Sequence, residues 1–373
     1  MRRPLMALTK TLLVLLAAGL AVPRPLGADI SFLKGRVIDL SDGDRTLEQR
    51  FSLAEKEFLS SEKGTAFLTA YSYLSRHRIH SRGPGLSSVP YKIRIEGDHI
   101  NLHRTWRGDG GQTLESGVGS FPAVVLFLHR VQGGKNQLVD LQLIDPDDAH
   151  ELPAVPAYWL GDAGNEESLT FMKEAFETAP LSFQKSLVFA ISTHEHPQAS
   201  EFLRKVSAGH DNIELRKTAL LFFVGGAVDE GAVPFLKDLY AREKNREMKK
   251  QIIFVLSTEK SEESVRELIR LARNEAESSL RKDAIFWLGQ KASQEAARTL
   301  KDFVDGDENQ EIKKQALFAI SQLPKDKAIP MLLDIAKTND NPSVRKNAIF
   351  WLGQSGDERA LTFLEEILLG KNR

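Results

Sequence analysis

A fixed period constrains this chain more than any other feature. Residues 344–353 read Val-Arg-Lys-Asn-Ala-Ile-Phe-Trp-Leu-Gly, and residues 280–289 read Leu-Arg-Lys-Asp-Ala-Ile-Phe-Trp-Leu-Gly. Related segments start at Phe183, Leu215, Met248 and Ile312, so the six leading residues are separated by steps of 32, 33, 32, 32 and 32. Self-similarity at such a period marks a stack of supersecondary units, each too small to bury its own apolar face.

Each period divides into two helices. In the last complete cycle, residues 327–336 carry Ala328, Met331, Leu332 and Ile335 at helical spacing, and residues 344–354 form the second helix. Asn341 is placed to cap the second helix, with Pro342 at its first position and Gly353 at its C-terminal cap. Counting the leading residue as zero, positions 0, 4, 7 and 8 form one apolar seam and positions 5 and 6 flank it. A helix apolar on more than one side must be covered by neighbours. The copies also alternate. Ser192, Ser257 and Ser321 close the first, third and fifth, while Gly225, Gly289 and Gly353 close the others, as in a duplicated two-repeat unit. The second copy has one extra residue before Gly225, which predicts a local irregularity in that helix.

The pattern Val-Arg-x-x-Ala-x-x-x-Leu-Gly, present as Val344, Arg345, Ala348, Leu352 and Gly353, resembles that of the HEAT repeat superfamily, including its shorter bacterial type. The resemblance covers about residues 165–370. It implies an α-solenoid, with the basic residue after the leading apolar one in a structural ladder between repeats: Arg216, Lys249, Arg281, Lys313 and Arg345, with Gln184 departing from the pattern in the first copy. Some bacterial HEAT-like proteins resemble bilin lyases, which attach pigments to protein cysteines; besides the repeat, nothing in this sequence points that way.

Residues 29–155 have a different rhythm. A helix is expected over 46–61 and a strand over 66–73. Loops are expected at 81–90 and 108–119. One hairpin is expected at 91–103 around Glu96-Gly-Asp, and a second pairs 123–131 with 137–144 through Gln132-Gly-Gly-Lys-Asn. This predicts a small α+β domain with a mainly antiparallel sheet. Pro146, Pro153 and Pro156 read as a linker, so the expected domains are 1–28, 29–155 and 156–373, the last a solenoid of about six repeats.

The first 28 residues read as an export signal. Arg2, Arg3 and Lys10 precede an apolar run of 12 residues over 11–22, and cleavage is expected after Ala28. That run is shorter than the roughly 20 residues a bilayer span needs; retention as an anchor is the alternative. Removing Arg2, Arg3, Lys10 and Arg24 takes the formal charge from -1 to -5. The absence of cysteine excludes thiol catalysis, thiolate metal sites and disulfides. A near-zero charge gives no basic excess to mark a nucleic-acid binder.

Position 2 is lysine in every copy: Lys185, Lys217, Lys250, Lys282, Lys314 and Lys346. Such a row reads either as a solvated face paired with acidic neighbours or as an electropositive groove for an acidic partner. Phe189, Phe254, Phe286, Phe318 and Phe350 follow four residues on and are expected to pack between repeats, with Trp287 and Trp351 in the core. His77, His80, His99, His103, His194 and His196 read as surface residues; His99 and His103 would stand ~13 Å apart along a strand, too far for one ion. No nucleophile elbow, phosphate loop, dinucleotide fingerprint or zinc-protease motif is present. The reading that follows is a non-enzymatic, exported scaffold whose solenoid binds a protein partner, acidic if the lysine row is a groove, with no cofactor and no metal. The alternative is an enzyme, of lyase type or with a dispersed site in residues 29–155.

Overall fold

Two apolar patterns, one with period two and one helical, divide the molecule. The computed structural model describes residues 30–369 apart from 62–63, 81–90, 97–98, 105–112, 148–149, 153, 227–230, 292 and 307–308. The export signal, the loop at 81–90 and the turn at 97–98 lie outside the described residues. Two compact units divide between Leu203 and Arg204.

The first unit is built on a five-stranded sheet of order β2-β9-β3-β6-β7. Its strands are β2 (Val37–Asp39), β3 (Ala66–His80), β6 (Thr113–Gln132), β7 (Lys135–Ile144) and β9 (Ala157–Asp162). Two-stranded sheets pair β1 (Leu33–Lys34) with β8 (His150–Glu151) and β4 (Tyr91–Glu96) with β5 (His99–Arg104). The β6–β7 hairpin turns on Gly133 and Gly134 alone, with φ of 59° and 76°, the left-handed pair that a two-residue hairpin requires.

Three features differ from the sequence reading. Residues 113–119, expected in a loop, begin β6, and β3 runs on to His80. The sheet is mixed, because β9 pairs parallel to both β2 and β3. Since β9 follows Pro156, the proline-rich stretch does not end the first unit, which continues through helices α2 (Asn165–Thr178) and α3 (Leu181–Ser192) and into α4 (Pro197–Gly209).

Both faces of this sheet are buried, which is why β3, β6 and β9 read as nearly continuous apolar runs. On one face, Leu68, Ala70, Val124, Leu126 and Trp159 cluster with Phe32, Leu33 and Val155. On the other, Phe67, Tyr71 and Phe127 meet helix α1 (Leu47–Ser61) and α2. Phe51 of α1 stacks on Phe171 of α2 at 4.0 Å, and both rings contact Phe127. Buried Arg50 in α1 donates to the carbonyls of Leu160 and Asp162 and pairs with Glu167 at the start of α2. Gly161 sits below that guanidinium at φ 81°, where a Cβ would come within 2.9 Å of Ser41 Cβ.

His194, expected at the surface, is fully buried. Past the end of β9, the free edge of β3 is taken by the segment after α3: Arg76 N–H donates to Thr193 O at 2.9 Å, and Ser75 bridges His194. The His194 ring stacks on Tyr73 at 4.2 Å and donates from Nδ1 to Ala190 O, so its Nε2 accepts from Ser168 Oγ at 2.7 Å. Ser168 in turn meets the Tyr71 hydroxyl at 2.8 Å. A second buried histidine, His129, stacks on Phe67 and lies between Thr69 Oγ1 and Asn136 Oδ1.

The second unit continues α4 with helices α5 (Ile213–Gly226), α6 (Ala232–Arg242), α7 (Arg246–Thr258), α8 (Glu262–Asn274), α9 (Ser278–Gly289), α10 (Gln294–Gly306), α11 (Gln310–Ser321), α12 (Lys325–Thr338), α13 (Pro342–Gln354) and α14 (Glu358–Leu368). The mainly helical solenoid with a small α+β portion is the fold the repeat predicts. Leu280, Ala284, Ile285 and Leu288 of α9 are all fully buried, as are Ile312, Ala316, Leu317 and Ile320 of α11. They belong to one apolar cluster extending from Leu220 to Phe363. Asn245, Asn309 and Asn341 cap α7, α11 and α13 through their side-chain oxygens. The extra residue in the second copy produces no break; α5 is continuous.

The terminal Ser and Gly residues of the second helices do different work. Ser257 and Ser321 donate to carbonyls three residues earlier, at 2.6 and 2.7 Å. Gly289 is the last residue of α9 and lies against α11, where a Cβ would stand 2.5 Å from Ala319 O. Gly353 is not the helix cap: α13 ends beyond it, and Gly356 takes the positive φ of 61°. A Cβ on Gly353 meets only Leu364 Cδ1, at 3.9 Å. Gly289→Ala should therefore destabilise by about 1–3 kcal/mol through overpacking. Gly353→Ala should be neutral or stabilise by up to about 1 kcal/mol through helix propensity. Equal unfolding midpoints for the two variants would contradict this assignment.

The buried histidines make acid stability a second test. Burial lowers the pKa of both His129 and His194 from 6.5 to about 3, so the unfolded chain takes up protons that the folded one refuses. Their contribution is intact above about pH 6.5 and is lost as the pH falls towards 3. By about pH 5 each should cost about 2 kcal/mol. Urea titrations at about pH 7.5 and about pH 5 measure the loss, and midpoints that coincide would show that these rings are not held neutral.

Candidate functional site

The lysine row occupies the first turns of the second helices. Lys185 is exposed on α3 of the first unit; the other five stand on α5, α7, α9, α11 and α13 of the second. Their pairing follows the residue three positions earlier. Where that residue is glutamate, an ion pair forms on the same helix: Lys217–Glu214 at 3.2 Å, Lys250–Glu247 at 3.3 Å and Lys314–Glu311 at 2.9 Å. Where it is serine, at Ser182, Ser279 and Ser343, the lysines Lys185, Lys282 and Lys346 have no ion pair among the described residues. The row is thus a ladder of mixed charge with uncommitted cations at intervals. Glu311 shows the cross-talk: Lys314 holds its carboxyl below the ordinary range, and Lys282 of the preceding repeat adds to the effect.

Beside the lysines runs a strip of aromatic rings. Phe254 meets Trp287 at 5.1 Å, Trp287 meets Phe286 at 4.8 Å, and Phe286 stacks on Phe318 at 5.8 Å. Phe318 then meets Trp351 at 5.2 Å, which touches Phe350 at 5.0 Å. These rings do pack between repeats, but they are not sealed in the core. Phe254, Phe286, Phe318 and both tryptophans are half-buried, and Phe350 is 53% exposed. Position 6 lies one turn beyond position 2, so cations and rings share one face of the second helices of four successive repeats, α7, α9, α11 and α13.

On this face a hollow of ≈ 360 Å³ opens between α7, α9 and α11, lined by Arg246, Lys250, Ser279, Lys282, Asp283, Phe286 and Gln315. Burial holds the Asp283 carboxyl above its ordinary range, while Lys250 and Arg246 pull the other way. Arg246 is itself paired with Glu277 at 2.6 Å.

The residues at position 1 turn inward to helix ends. Arg216 donates to Ser207 O at 2.9 Å, Arg281 to Ala272 O at 2.8 Å, Lys313 to Asp305 O at 3.4 Å and Arg345 to Asn339 O at 2.7 Å. Each of these carbonyls lies at or just past the C-terminus of the first helix of the pair, where a cation is favoured. Gln184 does the same with a neutral amide, donating to Phe176 O at 3.1 Å. Lys249 lies over the Tyr240 ring at 4.8 Å. Links to the next repeat come from the turns. Arg216 pairs with Glu243, and Tyr240 donates to Glu275 at 2.5 Å. Burial alone would raise the Glu243 carboxyl, yet the Asn245 N–H and Arg216 bring it below the usual range.

His196 is half-buried, and the side chains of His77, His80, His99 and His103 lie outside the description. Ser168 and His194 have the chemistry of a nucleophile and its base. Both are fully buried, so as placed they meet no substrate and serve as a cross-tie. Among the described residues no group of three His, Asp or Glu side chains could hold a metal ion, and no helix is long and apolar enough to cross a membrane.

No curated protein matches the chain. Among solved structures it aligns with human deoxyhypusine hydroxylase in complex with glycerol at 16% identity, over 46% of this chain and 66% of that one, with a TM-score of 0.31. A de novo designed 16-helix transmembrane nanopore aligns at 18% identity over 50% and 54%, with a TM-score of 0.12. The chain spans less than two thirds of either, and at those scores neither likeness bears on function. The family model for HEAT repeats matches residues 265–340 and 299–373, from within α8 through α14, and takes in the second half of the lysine row.

Proposed function

We propose that the second unit is a non-catalytic docking scaffold for a protein partner, which lays an acidic and apolar segment across α7, α9, α11 and α13. The observation that carries this reading is the placement of lysines and half-exposed rings on one face of these four helices. Neighbouring helices pack at about 8–10 Å, and an extended chain advances about 3.3 Å per residue, so an acid at every third residue of the segment meets successive lysines. The intrahelical Glu–Lys pairs are exposed and screened by solvent, so a partner's carboxylates exchange for them at little cost.

The test begins with a partner captured by crosslinking in the cell envelope and titrated against the chain. Changing Lys250, Lys282, Lys314 and Lys346 together to Gln should weaken binding and flatten its salt dependence, because screening acts on those same charges. Stability should change by about 0.5 kcal/mol or less per site. An unaltered affinity and salt slope would leave the row as a solvated face.

We propose further that the chain is exported, supported by the cationic, apolar and small-residue segments in residues 1–28. N-terminal sequencing of protein from the producing cell should begin near Asp29. Full-length chain recovered from the cytoplasm would count against export.

A further inference from the structure

The hollow between α7, α9 and α11 differs from the rest of the lysine row, and one residue accounts for the difference. Ser279 stands where the flanking copies carry Glu247 and Glu311. The shorter side chain leaves space beside Phe286 and, among the described residues, leaves Lys282 without an ion pair, whereas Lys250 and Lys314 on either side are paired. One uncommitted ammonium therefore faces a cavity whose other polar lining is a hydroxyl (Ser279), an amide (Gln315), two paired cations (Lys250 and Arg246) and the Asp283 carboxyl.

This inventory selects among anions. An anion oxygen at Lys282 has the Gln315 amide at hand as a donor, whereas the Ser279 hydroxyl donates to Glu277 Oε1 at 2.7 Å, so one ammonium and one amide meet the two oxygens of a carboxylate. Asp283 in the same lining sets a limit, because it repels a second negative charge more than the first. A phosphoryl group carries about −1.5 to −2 at neutral pH and three acceptor oxygens. It would need Arg246 and Lys250 released from Glu277 and Glu247, while a single carboxylate needs Lys282 alone. The half-buried Phe286 ring forms an apolar wall beside these polar groups. A volume of ≈ 360 Å³ is at the small end for ligand pockets, which suits side chains more than a whole cofactor.

We propose that this hollow receives the carboxylate of an Asp or Glu side chain of the docked segment, paired with Lys282 and hydrogen-bonded by Gln315, in the space that Ser279 leaves open, with an adjacent apolar side chain against Phe286. The proposal rests on the docking reading above and narrows it to a required acid at one position.

Random 12-residue peptides displayed on phage and selected against the full chain supply the probe, and the best peptide is then synthesised and titrated by fluorescence anisotropy. Selected peptides should share an Asp or Glu next to an apolar residue. Replacing that acid by Gln or by phosphoserine should weaken binding about tenfold or more, as should Lys282→Gln. Ser279→Glu, which installs the neighbouring copies' glutamate and pairs Lys282 internally, should do the same. Lys185→Gln should have no effect. If the Gln peptide binds as well as the acid, or Ser279→Glu leaves the affinity unchanged, the carboxylate site is overturned. Docking survives that outcome only if Phe254→Ala and Phe350→Ala weaken the same peptide. A peptide indifferent to every one of these changes, or a selection that yields no binder, overturns the docking reading and this site with it.

Discussion

Close contact between consecutive second helices is what the repeat unit depends on. A helix such as α9, with Leu280, Ala284, Ile285 and Leu288 all shut off from water, has no solvated arrangement of its own and exists only between neighbours. At Gly289 the backbone of α11 occupies the space of a β-carbon. Once that distance is set, the other parts follow. The rings at position 6 come within stacking distance of the next copy, and the lysines at position 2 fall into a row. The first unit answers to the same constraint in a different geometry. A sheet apolar on both faces needs two covers, and α1 and α2 supply one while the segments around Phe32 and Val155 supply the other.

Polar groups in both units are placed where burial would otherwise strand them. In the repeats, the cation at position 1 satisfies carbonyls at the end of the preceding helix that have no partner inside it. In the first unit, Arg50 does this for Leu160 and Asp162 across more than a hundred residues of chain. The Tyr71–Ser168–His194 chain closes a similar gap between β3 and the loop after α3, with every member fully buried. An unpaired group there would carry its whole desolvation cost, so each link in such a chain matters more than the average hydrogen bond.

How much of this was legible in the sequence depended on whether the deciding contacts were local. The solenoid announced itself because its contacts recur every 32 residues, and the Asn caps because a cap and its helix are adjacent. The strand β9 went unread. It is six residues long, lies just after Pro156 and contains Gly161, and its pairing is parallel to a strand nearly ninety residues earlier. His194 reads as a surface residue because Thr193, Glu195 and His196 surround it with polarity. Its burial is decided by Tyr73 and Ser168, which no local pattern reveals. The lysine row and its pairing with acidic neighbours are both legible, and Glu214, Glu247 and Glu311 three residues earlier decide which lysines pair. Gly353 reads as a cap by the usual rule, whereas Gly289 at the same position is needed for helix approach.

The two ends of the second helices obey different rules, and the contrast separates packing from function. At the C-terminal end the closing residue alternates strictly through the six copies: Ser192, Gly225, Ser257, Gly289, Ser321, Gly353. There the backbone of the next helix can be near enough to leave no room for a β-carbon, as at Gly289, and the choice of residue is sterically constrained. Near the N-terminal end the residue before the leading position runs Ser182, Glu214, Glu247, Ser279, Glu311, Ser343, with no such alternation. Nothing in the stacking of apolar seams distinguishes a serine from a glutamate at that largely exposed position, since both leave the seam intact. What the choice does alter is whether the lysine three residues later is neutralised and whether space opens beside the ring at position 6. The irregular order therefore sets which cations on this face remain available, and between two glutamate copies it leaves Lys282 as the uncommitted one beside a cavity.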